Sequence, residues 1–210
     1  MTTTVLCAAG VALAVALLIE GERRRSRWLI WTAKPVASAL FVALSVLRLA
    51  AGDTYGGWVV TALVLCAVGD LLLLGERTFD GGLVIFLAAH LAYVSAFHGR
   101  HPLSAWPLWM AALLVVPIVV VARWLWPHLG RRRLPVLLYM VVVSLMLWAA
   151  LSTAAAGAVP WFAAVGALAF YLSDLSVARD RFVKRSFANR ALGLPPYYLG
   201  QVLLALSVGA

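Results

Sequence analysis

Two aspartates, Asp70 and Asp174, lie inside apolar stretches long enough to cross a lipid bilayer. Each stands between a small residue and a leucine, in Gly69-Asp70-Leu71 and Ser173-Asp174-Leu175. A carboxylate in hydrocarbon costs a few kcal/mol even on the mildest insertion scale, so such residues face a protein interior or a wet cavity. Two carboxyl groups brought together can hold one proton between them and act as acid and base. The competing reading is structural: each carboxylate is satisfied by Lys34 or by a hydrogen bond, clamping helices together.

Other polar side chains fall in comparable positions. Lys34, His90, Tyr93, Ser173, Tyr197, Tyr198 and Gln201 all sit within or at the edge of apolar segments. Lys34 can neutralise an aspartate, meet a lipid phosphate or snorkel to the interface. Tyr197 and Tyr198 also suit an interfacial aromatic belt, as do Trp28, Trp58, Trp106, Trp124 and Trp161. No metal is expected. Zinc hydrolases usually need three protein ligands, and of the four histidines only His90 is intramembrane, with His98, His101 and His128 in loops. No GxSxG elbow is present to carry serine chemistry. Cys7 and Cys66 have neither CxxC nor metal-ligand spacing and are read as small packing residues, not a disulfide.

These residues need a membrane to hold them. The 210-residue chain is 64% hydrophobic and only 12% charged, with mean hydropathy +0.98, whereas a soluble domain carries roughly 25% charged residues. The expected fold is all-α, a polytopic integral membrane protein forming one domain over residues 1–210. Eight segments are read as spans: Thr4–Ile19, Trp28–Leu49, Gly57–Leu74, Gly82–Phe97, Ala105–Leu125, Leu134–Leu151, Val159–Ala178 and Pro196–Val208. The first lacks the positive n-region and cleavage site of a signal peptide and is expected to be retained.

Charge then orients the segments. Fourteen of the 17 Lys and Arg residues fall in the first, third, fifth and seventh loops, against two in the even loops. By the positive-inside rule the odd loops are cytoplasmic and both termini extracytoplasmic. The basic residues flank apolar segments instead of forming a separate surface, so nucleic acid is not an expected partner. In this topology Asp70 and Asp174 lie about one turn before the cytoplasmic boundary, Lys34 roughly 9 Å above it, and His90 roughly 12 Å in. Tyr197, Tyr198 and Gln201 open the last segment, and Tyr93 lies deeper than His90. Five segments thus offer polar groups to one layer, in the cytoplasmic half.

Five stretches in this order carry a family resemblance: Ala33-Lys34-Pro35; Val68-Gly69-Asp70-Leu71-Leu72-Leu73; Phe86-Leu87-Ala88-Ala89-His90-Leu91-Ala92-Tyr93; Gly166-Ala167-Leu168-Ala169-Phe170-Tyr171-Leu172-Ser173-Asp174; and Tyr197-Tyr198-Leu199-Gly200-Gln201. The chain resembles the YhhN/TMEM86 family of membrane lysoplasmalogenases, departing from its pattern at Gly200, where that family often has Ala. The expected location is a bacterial-type inner (cytoplasmic) membrane with the site toward its cytoplasmic half, and the resemblance implies an eight-helix membrane enzyme. Its substrate would be a lysophospholipid with a vinyl ether, and its products a fatty aldehyde and glycerophosphoethanolamine or glycerophosphocholine. It would use no cofactor. Vinyl ether hydrolysis passes through an oxocarbenium ion, which calls for a general acid and a stabilising negative charge. On that reading Asp70 and Asp174 are catalytic, and Lys34, His90, Tyr93, Ser173, Tyr197, Tyr198 and Gln201 bind substrate or position water. Two other readings share the residues: an intramembrane aspartyl-type hydrolase of another substrate, and a proton-coupled transporter. Oligomeric state is not legible.

Overall fold

The computed structural model describes residues 2–210. It contains α1 (Thr2–Arg24), α2 (Arg27–Val46), α3 (Thr54–Leu72), α4 (Phe79–Arg100), α5 (Leu108–Leu129), α6 (Arg133–Ala155), α7 (Trp161–Ala178) and α8 (Phe187–Leu206). Short 3₁₀ turns precede α5 and α6, a π-helical turn at Arg179–Val183 follows α7, and no strand occurs among the described residues. Helix is the expected solution, because a backbone in lipid must satisfy every N–H and C=O within its own segment.

Helices α1 to α7 are long and apolar enough to cross a membrane. α5 and α6 form one 48-residue apolar stretch, Leu108–Ala155, broken at Gly130, whose φ of +51° is left-handed. α8 is not among these spans, because Asn189, Arg190, Pro195 and Pro196 dilute its first half. The chain is integral to a membrane by this composition. Outward faces agree: Val5, Leu13, Leu113, Val116 and Val165 are all exposed, as side chains against lipid must be.

Two expectations are corrected. α8 starts at Phe187, not Pro196, because Ser186 caps it by accepting from the Asn189 N–H at 3.3 Å. Tyr197 and Tyr198 therefore lie roughly 15 Å along the helix, in protein instead of at an interface. Trp106 is likewise no belt residue: it is buried, donates its indole N–H to the His101 carbonyl at 2.8 Å and packs edge-on against Trp148.

One core runs through α1–α4 and α6–α8, with Phe41, Leu63, Tyr93, Phe97, Phe170 and Tyr198 fully enclosed. α5 stands apart. Its Leu125 and Leu129 pack on Val136 and Met140 of α6 and against Phe182 of the π turn, forming a smaller cluster. α7 and α8 approach backbone to backbone. A Cβ on Gly200 would lie 2.8 Å from the Gly166 carbonyl oxygen and 3.1 Å from the Phe170 nitrogen. Small residues allow such backbone approach in membranes. Gly200→Ala is expected to cost about 1–3 kcal/mol through overpacking, seen as a lowered unfolding midpoint in detergent; an unchanged midpoint would show that α8 moves freely.

Candidate active site

Asp70 ends the buried face of α3 and meets groups from two other helices. Its Oδ1 lies 3.2 Å from Lys34 Nζ on α2. Its Oδ2 accepts from Ser38 Oγ at 2.7 Å and from Tyr197 Oη on α8 at 2.8 Å. Lys34 and Ser38 are one helical turn apart, so α2 presents both to the same carboxylate. The ammonium does not snorkel: its side chain is 12% exposed and that of Asp70 3%. Gly69 allows this arrangement, because a Cβ there would lie 2.7 Å from the Phe86 ring of α4.

Asp174, on α7, has different company. Tyr139 of α6 donates to its Oδ2 at 2.9 Å, and Nε2 of His90, on α4, lies 3.6 Å from the same oxygen. His90 is fully buried, its ring tilted at 37° against Phe170 with centroids 4.5 Å apart. Its Nδ1 lies 2.7 Å from the Phe86 carbonyl oxygen. A carbonyl can only accept, so Nδ1 carries the hydrogen, and Nε2 turns a lone pair toward Asp174. Two lone pairs facing each other repel; a single proton between them makes the contact attractive. The pairing is therefore built to hold one proton on Asp174 or on His90.

No hydrogen bond joins the two aspartates, each of which has its own partners. The two carboxyl groups form two separate clusters on one cavity. That cavity, about 460 Å³, is lined by Lys34, Asp70, Tyr139, Ser173, Asp174 and Tyr197, a size within the roughly 300–1,000 Å³ of small-ligand pockets. Phe86, Val121, Leu125, Met140 and Val143 give it an apolar wall, and Arg27, Arg181, Arg185 and Arg190 stand among its polar residues.

Residues 29–208 match the YhhN family. The chain belongs to the YhhN family. Every residue of both carboxylate clusters falls within the matched region. The chain is 36% identical over 159 residues to a pig protein named Lysoplasmalogenase TMEM86B, covering 75% of this chain and 66% of that one. It is 36% identical over 150 residues to a Mycobacterium bovis protein named Lysoplasmalogenase, covering 67% and 55%. With the human Lysoplasmalogenase TMEM86B it shares 37% over 147 residues, 70% and 61% of the two chains. The chain thus spans about two thirds or less of the length of these relatives. No solved structure matches it.

Not every residue singled out in this YhhN chain reaches the cavity. Tyr93, Tyr198, Gln201 and His90 are buried behind it. Tyr93 Oη donates to Gln201 Oε1 at 2.9 Å, fastening α4 to α8. Tyr198 packs against Tyr197 and Phe41. The physical reason is the early start of α8: Gln201 is one turn deeper than Tyr197, below the cavity floor, and Tyr198 is turned about 100° from it. His90 reaches the cavity only through Asp174. Two functional candidates went unread. Ser38 was legible as the i+4 neighbour of Lys34, and Tyr139 as the lone phenol of the sixth segment.

Proposed function

We propose that this YhhN protein is a lysoplasmalogenase, hydrolysing the vinyl ether of a lysophospholipid to a fatty aldehyde and a glycerophosphodiester. In this reading residues 1–210 form one transmembrane domain of eight helices with both termini extracytoplasmic. The cavity then opens toward the cytoplasmic half of a bacterial-type inner membrane. The observation that carries the reading is a single cavity holding two aspartates with unlike surroundings. Its apolar wall suits one hydrocarbon chain, and the relatives' names supply the reaction.

The unlike surroundings divide the labour. Asp70, facing an ammonium and two hydroxyl donors, is a fixed anion with its lone pairs engaged. That makes it a poor base and a good electrostatic partner for a cation. Asp174, with one phenol and the His90 lone pair, is the acid. Asp174 gives its proton to the vinyl carbon β to oxygen, leaving an oxocarbenium ion at the α carbon. Water adds to that carbon, and the Asp174 carboxylate takes the proton water loses. The resulting hemiacetal breaks to aldehyde and glycerol hydroxyl. One vinyl ether and one water are consumed, and Asp174 ends protonated, one carboxyl serving as acid and then base as in retaining glycosidases. Tyr139, Ser173 and Tyr197 orient the reacting groups, and the His90 Nε2 lone pair faces the protonated Asp174 between turnovers and orients the acid.

Purified protein in detergent, with no ion gradient, should release aldehyde from lysoplasmalogen but not from the saturated ether analogue. Lipid transport without aldehyde, or peptide cleavage instead, would overturn the assignment. Tyr139→Phe removes the hydroxyl donor on Asp174 and is expected to lower kcat about tenfold, as a hydrogen bond to an ionisable group is worth about 1.5–3 kcal/mol. An unchanged kcat would remove Tyr139 from the machinery.

A further inference from the structure

Four arginines line the cavity, and they are not equivalent. Arg185 donates to Glu76 at 2.9 Å. Arg190 bonds both Glu22 and Asp180. Arg27 and Arg181 meet no carboxylate among the described residues.

The two unpaired arginines are held in different ways. Arg27 opens α2, whose first turn contains no acidic residue. A cation there stands at the positive end of the helix dipole, an arrangement unfavourable by about 0.3–1 kcal/mol without an anion beside it. Arg181 lies in the π turn after α7, its guanidinium 4.0 Å from the centroid of the Phe79 ring. Phe79 is itself fixed edge-on by Phe182. Stacking on an aromatic face restrains the guanidinium while leaving its edge N–H groups available. The field at this end of the cavity is felt by a neighbour. Glu76, in the loop after α3, is held below the usual carboxylate range first by Arg185, with Arg181 and Arg27 adding to the effect. π turns inside or beside helices often mark functional sites, and this one carries Arg181 to the cavity.

We propose that Arg27 and Arg181 form a phosphate subsite for the head group of a single-chain phospholipid. This rests on the lysoplasmalogenase reading and extends it. The phosphodiester sits between the two arginines, and the chain runs back along Phe86, Val121 and Met140. The vinyl ether, one glycerol unit from the phosphate, is thereby delivered to Asp174. The paired Arg185 and Arg190 shape the entrance without contributing free charge.

The test uses full-length protein and ligands that cannot be hydrolysed. Binding of a saturated 1-O-alkyl lysophosphatidylcholine and of the matching 1-O-alkyl glycerol, which lacks phosphate, is measured by calorimetry. Arg27→Gln and Arg181→Gln should each weaken the phosphorylated ligand about tenfold and leave the alkyl glycerol unchanged. Arg77→Gln, an exposed arginine outside the cavity, should change neither. Glycerophosphocholine should compete with the lysolipid on wild type and less on the two variants. Equal weakening of both ligands, or no weakening of either, would overturn the subsite. So would arginine dependence seen with a diacyl phospholipid but not with the single-chain one. If wild type releases no aldehyde while the arginine-dependent binding persists, the hydrolase reading falls and the phosphate subsite stands.

Discussion

Asp174→Asn is expected to lower turnover on the order of 10³-fold, within the 10²–10⁴ that general acid catalysis contributes. An amide has no acidic proton to give the vinyl carbon, yet it keeps one of the two local contacts. Both contacts are made to Oδ2, so either the amide oxygen stands there and accepts from Tyr139 at 2.9 Å, or the NH₂ stands there and faces His90 Nε2 at 3.6 Å. Stability should therefore change little, which separates loss of chemistry from loss of fold. His90→Gln is the companion. It removes the lone pair that orients the Asp174 proton without removing the acid, so it should slow the first turnover and later ones alike, by less than Asp174→Asn. Aldehyde release in single-turnover and steady-state assays checks both. Asp174→Asn with near-normal turnover would transfer the acid role away from this residue.

Lys34→Met should be the most destabilising single change at the site, costing about 3–5 kcal/mol, because it strands a buried carboxylate. Asp70 is 2% exposed and would keep only its two hydroxyl donors, Ser38 and Tyr197. Hydroxyls share the charge but do not cancel it. Removing both charges together, in Lys34→Met with Asp70→Leu, should recover most of the loss, since a buried ion pair is worth little over a well-packed apolar pair. The recovered protein should be folded and inactive. Unfolding midpoints of the two singles and the double form a cycle that reads the coupling directly. A stable Lys34→Met variant would mean that water or lipid reaches Asp70 and that the ion pair is dispensable.

The two aspartates illustrate how far a sequence reading extends. Charge in an apolar segment is visible without a structure, because hydrocarbon penalises it wherever it faces. Asp70, Asp174, Lys34 and His90 were therefore legible as a group. Apolar stretches of seven helices were legible for the same reason, the backbone having no other way to be satisfied in lipid. The eighth is expected from the apolar pattern to start at Pro196, whereas the Ser186 cap and burial in protein start it at Phe187 and carry it through Pro195 and Pro196.

Partnership was not legible. Which carboxylate meets the ammonium and which meets the imidazole depends on how α2, α4, α6 and α8 rotate around α3 and α7. Close packing at Gly69, Gly166 and Gly200, where a Cβ would press on the neighbouring helix, limits that rotation. A hydropathy pattern this apolar on all sides of each helix does not specify it. By itself the sequence determined the helices, their membrane setting and the residues too polar to face lipid. Only the tertiary structure separated Asp70 from Asp174, set Tyr93, Tyr198 and Gln201 behind the cavity, and left Arg27 and Arg181 without carboxylate partners. The reason is that burial cost belongs to each residue alone, whereas hydrogen-bond and ion-pair partners are properties of pairs fixed by side-chain packing between helices.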